Sequence, residues 1–569
     1  MRTAGRALRL VTVLALGAAL GVPEVTSGAT ASSPHYTLTL SVPDALVGCS
    51  VLDPSASPSL RALLDLVRPS AFLTSPTGIL AGSQSAITSA ELVSLSPQTV
   101  VYTLARGLRW SNGHPWRAQD LVNWWRVARA QPSVASDGYR DITHLRLGAG
   151  GTQVTAVFAH PYSPWALLFH DVGYRGEPVT CPAGGLAAEP SLGPYRVVTA
   201  SPKRVILVRN ATWPVDHQDP SRIIAVVDAP SPRPTTSTYA SFSLTVDPAQ
   251  VDAISAQAAD LSHVGASNGL EEVLYAPHRP LMRTLPLREA LSIGMDRTAL
   301  LTALWGRAAF LPSVAASAIF SEGDPAYPGG TGQVPTTSST TTTVPPVTST
   351  TTPGGQVSLT DCLACARAVL RAAGYRRGPA GLVSPQGVLV HLIVAYGPTD
   401  LDRATAKLLA AQWTALGVTT SLEPTHSERQ AVSEVATARA DVAVVERQTG
   451  VSPATMVRAF VGPAYPDAYA TGIVIAGVPA LYHRALDTFN AVTARSVWAQ
   501  IDQLLMDSFW VRPLFTPPSL ETWSMELGGV VPSDTLTELV DQIPSWWFAA
   551  PVPTTTTTVG GSARGRRVH

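Results

Sequence analysis

The segment GLRWSNGHPWRAQDLVNWW, residues 107–125, constrains this chain more than any other. Asn112-Gly113 is a tight-turn dipeptide because both residues tolerate positive φ, and Leu121, Val122, Trp124 and Trp125 then share one face of a helix. The segment therefore reads as an extended strand, a turn and an amphipathic helix. Aromatics at such spacings usually fill interiors, so Trp110, Trp124 and Trp125 are assigned first to a core, with Trp125 also kept as a candidate ligand contact. Nearer the start, Tyr36, Leu38, Leu40 and Val42 alternate with Thr37, Thr39 and Ser41, the period of a half-buried strand.

The first residues fit a secretory signal. Arg2, Arg6 and Arg9 precede the apolar run at 11–22, which is too short to span a membrane, and Ala29 and Ala31 suit cleavage after residue 31. Export to the periplasm or the cell surface is expected, with no transmembrane helix in the mature chain. Leu46-Val47-Gly48-Cys49 spells a lipid-attachment box, but it follows the polar-alternating YTLTLSVPDA rather than an apolar signal core and is not read as one. The 40 basic and 40 acidic residues cancel, which argues against a nucleic-acid partner.

Residues 334–356 form a Thr/Pro-rich tract that cannot bury enough apolar surface to order itself, and another Thr run opens the tail at 551–569. Loop-closure entropy grows only logarithmically, so such an insertion is tolerable within a folded lobe. It reads either as tolerated disorder or as a glycosylated or spacer segment.

Several further blocks share the spacing of a known family. The opening motif supplies Arg109, Trp110, Asn112, Gly113, Pro115, Ala118 and Asp120; Leu52-Asp53-Pro54 follows the first strand; SLGPYRVV and RVILVRN lie at 191–198 and 204–210. Arg288, Ala290, Asp296, Arg297 and Gly306 make a helix-pair pattern, and ARAVLRAAGY ends at Gly374 and Tyr375. Together they resemble family 5 of the bacterial extracellular solute-binding proteins, the peptide- and nickel-type receptors of ABC importers. Where that family usually carries Thr, this chain has Arg117.

The resemblance implies a two-lobed α/β periplasmic-binding-protein-like fold with mixed sheets and a hinge. The first lobe is expected over 32–275, the second over 276–494 with the insertion inside it, and a return to the first over 495–550. Residues 501–518, IDQLLMDSFWVRPLFTPP, fall in that return. This division puts Cys49 and Cys181 in one lobe and Cys362 and Cys365 in the other, so Cys49–Cys181 is the expected long bridge and Cys362–Cys365 a local one. The CxxC pair is also half of a redox or zinc motif, and that alternative stays open.

The resemblance also implies a peptide or peptide-like solute held between the lobes, an ABC permease as partner, a monomer and no cofactor. In peptide-binding relatives an Asp in a Trp-rich segment after a buried strand pairs the peptide amine. Here that strand, 441–445, runs into ERQTGVSP, with Arg447 near the family's Trp and Gly450 near its Asp. Glu446 is the candidate substitute for the amine-binding carboxylate. Alternatively Arg447 faces the cleft and selects an anionic group, or Glu446 and Arg447 form a solvated pair. Glu446, Arg447, Gln448, Asp44 and Trp125 are thus the candidate binding residues.

Two other functional classes remain. A receptor scaffold uncoupled from import would act as an interaction protein. GASNG, 265–269, fits a G-x-S-x-G nucleophile elbow around Ser267, which would need a buried strand before it, a helix after it and later acid and His partners. The 12 His residues form no H-x-H or HExxH pattern, so no metal centre is expected.

Overall fold

A computed structural model describes residues 36–53, 56–74, 80–83, 85–131, 137–176, 181–182, 184–214, 220–227, 238–243, 260–322, 324, 327–328, 361–448, 452–461 and 471–548. The expected signal segment, the Thr/Pro-rich insertion and the tail lie outside them.

The alternating opening segment forms the strand Thr37–Val42, with Leu38, Leu40 and Val42 fully buried. It sits inside a seven-stranded mixed sheet, parallel to Arg222–Val227 on one side and to Thr238–Ser243 on the other. The Gly-Pro-Tyr block becomes the antiparallel pair Tyr195–Ser201 and Arg204–Arg209 at one edge. The other edge is Asp260–Ala266, paired antiparallel with Pro518–Ser524.

The opening motif folds as its residues predict. Arg109 bridges Pro115 across the Asn-Gly turn, and the helix Ala118–Ala130 follows. Its tryptophans are core: Trp110 packs edge-on to Trp116 and Tyr174, while Trp124 donates its Nε1–H to the Tyr139 hydroxyl. They close over a four-stranded antiparallel sheet, Ile87–Leu95, Gln98–Leu104, Gln153–Phe158 and Ile142–Leu147, as a core cluster separate from that beneath the seven-stranded sheet.

A six-stranded mixed sheet carries the third core cluster. Its order is Ser313–Val314, Val511–Thr516, Gly269–Tyr275, Val442–Gln448, His391–Tyr396 and Thr419–Pro424. The helix-pair motif flanks it as Leu285–Ile293 and Arg297–Trp305. Its polar residues do structural work. Asp296 caps the second helix through the Ala299 N–H at 2.8 Å, Arg297 and Arg512 converge on Asp361, and Arg288 stacks over Trp510. Gly374 ends the helix Leu363–Ala372 at φ +84°, the left-handed position that glycine occupies without a Cβ penalty.

The chain crosses between the two large sheets twice, at one place. Strand Asp260–Ala266 belongs to the seven-stranded sheet and Gly269–Tyr275 to the six-stranded one, with Ser267 and Asn268 between them. Val511–Thr516 and Pro518–Ser524 repeat the step in reverse around Pro517. The Ser267 N–H donates to the Pro517 carbonyl at 3.1 Å, so the two crossings are hydrogen-bonded together. They stand at 267–268 and 517, whereas the sequence placed the changes at 275 and 495. The apolar face of helix Ala491–Ser508, with Val497, Ile501 and Leu505, packs into the core of the six-stranded sheet, which delays the return.

Both disulfides form in the expected pairing, Cys49–Cys181 and Cys362–Cys365. Cys49 is buried and bridged over 132 residues, which removes it as a lipid-attachment thiol. Cys362 and Cys365 are joined to each other, leaving no free thiolate pair for zinc.

Candidate functional site

Glu446, Arg447 and Gln448 lie within the strand Val442–Gln448, not after it. Successive side chains on a strand point to opposite faces, so Glu446 and Arg447 part company. The proposed solvated pair is therefore not formed. Arg447 is 3% exposed, and its guanidinium makes a two-pronged ion pair with Glu272 at 2.9 and 2.8 Å. It also donates to the carbonyls of Met456 and Ala318 and lies over the Phe460 ring. A guanidinium so fully engaged has no donor fork left for a ligand anion, which corrects the expectation that Arg447 selects one.

Glu446 faces the other side, among acids. It stands opposite Glu271 in the antiparallel register, and both belong to a cluster with Asp402 and Glu428. Neither Glu271 oxygen has a hydrogen-bond partner, and Oδ1 of Asp402 and Oε2 of Glu428 are likewise buried without one. Like charges facing across a strand pair repel, and burial adds a desolvation cost. The acids respond by holding protons. Burial pushes the Glu446 carboxyl up to about 7, with the negative charges of Asp402 and Asp44 adding to the rise and a hydrogen bond from Gln448 opposing it. Burial, then Asp402, also holds Glu271 and Glu428 well above the ordinary range.

Asp44 comes from the loop after the first strand, so the two large sheets each contribute an acid to one neighbourhood. Ser59 fixes it, its backbone N–H donating to Asp44 Oδ1 at 3.1 Å and its hydroxyl reinforcing that contact. Gln448 Nε2 donates to Glu446 Oε1 at 2.7 Å. A Cβ on Gly269 would meet that same Oε1 at 2.3 Å, so the absence of a side chain there leaves room for the carboxylate. Glu446 and Gln448 are thus hydrogen-bonded to each other, while Asp44 acts on Glu446 through its charge alone. Trp125 is not among them: it belongs to the core over the four-stranded sheet and donates its Nε1–H to the Tyr139 carbonyl at 3.0 Å.

Sequence reasoning missed Glu271, Asp402 and Glu428. The register Glu271↔Glu446 follows only from pairing two strands about 170 residues apart in sequence, and Asp402 reads as an ordinary third residue of a helix capped by Thr399. Two surface pockets, of about 550 and 400 Å³, lie elsewhere, against Trp165 and Phe489 and against Arg109 and Trp116 respectively.

The elbow reading of Ser267 fails on geometry. Its Oγ accepts from the Gly269 N–H at 3.1 Å, and the chain continues into a strand where an elbow needs a helix. His263, whose Nε2 lies 3.1 Å from Asp534 Oδ1, precedes Ser267 by four residues along an extended chain, a separation of roughly 13 Å. No base reaches the hydroxyl from there.

Two mixed sheets joined by paired crossings make a two-lobed α/β fold of the periplasmic-binding-protein type. Residues 84–465 match the family described as bacterial extracellular solute-binding proteins, family 5 Middle, and this chain belongs to that family. It is similar at 32% identity over 168 residues to a Mycobacterium tuberculosis protein named as a probable monoacyl phosphatidylinositol tetramannoside-binding protein, LpqW. That match takes in 27% of this chain and 26% of the relative, so the alignment spans about a quarter of either protein. Among solved structures, a periplasmic EDTA-binding protein, EppA, superposes with a TM-score of 0.74 at 19% identity, over 90% of this chain and 96% of its own. NikZ from Campylobacter jejuni, in complex with Ni(L-His), gives 0.73 at 14% identity, over 90% and 100%. These likenesses establish the fold. Among the described residues no helix is long and apolar enough to cross a membrane.

Proposed function

We propose that this chain is the extracytoplasmic substrate-binding component of an ABC importer, taking a peptide or peptide-like solute that presents an ammonium group to Glu446 and Asp44. The observation that supports the reading is the buried Glu446 carboxyl, set among acids and within electrostatic reach of Asp44 from the other large sheet. A ligand cation between them offsets the repulsion that otherwise keeps Glu446 protonated, so binding favours the arrangement in which the sheets approach. Membership of a solute-binding family supports the receptor role, and the paired crossings at 267–268 and 517 are suited to a hinge. Relatives in the family bear names for chemically different ligands, which is why the ligand class is argued from the acids.

The test is native mass spectrometry of the protein from its own source, with denaturation to release bound molecules, followed by calorimetric titration of whatever is released. Release of amine-bearing peptides, and a loss of roughly tenfold or more in affinity on Glu446→Gln or Asp44→Asn, is the expected outcome. A released ligand without a cationic group, bound equally by both variants, would sink the ammonium assignment. Binding of a protein partner in place of any small molecule would move the reading to an interaction protein on the same scaffold.

A further inference from the structure

A second group of acids lies outside the Glu446 neighbourhood. Asp65 follows the helix Pro58–Leu64, His170 and Asp171 sit in the turn after Trp165–Leu167, and Asp541 belongs to the helix Leu536–Gln542, which packs on the first of these. One ligating atom from each of Asp65, His170 and Asp171 lies within 4.8 Å of the others. Asp541 is close enough to act electrostatically on both aspartates.

The geometry turns the imidazole toward the acids. The His170 Nδ1 stands 3.3 Å from the Phe72 carbonyl, which can only accept, so Nδ1 carries a hydrogen. Nε2 then points at the acids, 3.2 Å from Asp65 Oδ1 and 3.5 Å from Asp171 Oδ2. Three ligating atoms thus converge, one of them on a fully buried aspartate. Asp171 is fully buried, and neither of its oxygens has a hydrogen-bond partner; Asp541 Oδ2 is also buried without one. The neighbouring Arg68 directs its Nη2 to the Cys49 carbonyl and Glu189, and its charge also acts on Asp171.

We propose that Asp65, His170 and Asp171 bind one divalent transition-metal ion of the Zn²⁺ or Mn²⁺ class, with the charge of Asp541 nearby adding to the attraction. One imidazole and two carboxylates form a donor set suited to those ions. The hydrogen bond from Nδ1 to a backbone carbonyl is the outer contact that orients a ligating histidine. The His170 side chain is 34% exposed and provides the entry path. The ion ties the turn at 169–171 to the end of the first helix, a structural role independent of any solute bound at Glu446.

The test uses the full exported chain without a polyhistidine tag, stripped with a chelator and titrated calorimetrically with Zn²⁺ and with Mn²⁺, alongside melting curves. Expected are saturable binding of one ion per chain, a raised melting temperature in the bound form, and affinity weakened by more than roughly tenfold in His170→Gln and in Asp171→Asn. Two variants are used so that misfolding of one, checked by circular dichroism, does not decide the result. The proposal is overturned if the wild-type chain shows no one-site binding of either ion, or if both folded variants bind as the wild type does.

Discussion

At the scale of single residues, Glu446 and Arg447 show how one strand divides opposite roles between its faces. Arg447 is neutralised by Glu272 and locked by two carbonyls, whereas Glu446 is left among acids with a carboxyl raised to about 7 from the ordinary 4.5. Between those pH values the folded, ligand-free protein holds a proton that the unfolded chain releases. Stability from this group is therefore complete below about pH 4.5 and is lost as pH rises through 7. The full shift corresponds to on the order of 3 kcal/mol. Glu446→Gln is permanently neutral, so its unfolding free energy relative to wild type should rise between pH 5 and pH 8 by up to that amount. Urea denaturation at the two pH values checks it; a constant difference would mean that Glu446 is not the titrating group. The pair itself was legible in sequence, but its split was not, because a Glu-Arg dipeptide looks the same whether it is solvated or stands across a buried strand.

Among the elements, the helix Ala118–Ala130 was the most legible and also shows where this chain departs from its family. Its start is half capped. Asp120 accepts from the Arg117 backbone N–H at 2.9 Å, but Arg117 makes no side-chain capping bond in return. Arg117→Thr restores a hydroxyl that can accept from the first-turn N–H groups, with an expected gain of about 0.5–1 kcal/mol seen as a higher melting temperature. Unchanged or lowered stability would show that exposed Arg117 contributes something the hydroxyl does not replace. The other caps and turns were legible for the same reason: the helix stop at Gly374 and the Gly-Pro-Tyr pair depend on local chemistry. The crossing at 267–268 was not, since an extended chain continues on both sides of it and only the partner strands change. The acids around Asp171 were invisible for a related reason, with Asp65 and His170 more than a hundred residues apart and joined only by the fold.

For the whole molecule, the paired crossings restrict relative motion of the two sheets to a hinge at one end, so contacts away from that end should report whether the halves are closed. Such contacts are present among the described residues. The Ser163 N–H donates to the Leu486 carbonyl at 2.7 Å, and Arg458 Nε stands 3.0 Å from Asp137 Oδ2 with the two side chains 12% and 20% exposed. Asp137 and Ser163 flank the four-stranded sheet, whereas Arg458 and Leu486 belong to the half built on the six-stranded one. If these contacts exist only when the halves approach, removing one weakens the closed form without touching the ligand. A partly shielded ion pair contributes about 1 kcal/mol, which is roughly a fivefold shift in an open-closed equilibrium. Arg458→Gln should therefore enlarge the ligand-free radius of gyration measured by small-angle X-ray scattering and lower ligand affinity by a few-fold, mainly through faster release. Ligand-bound scattering should match the wild type, because ligand energy restores closure. An unchanged ligand-free radius together with unchanged release would place the Arg458–Asp137 pair outside the closing motion and leave closure to the acids at the cleft alone.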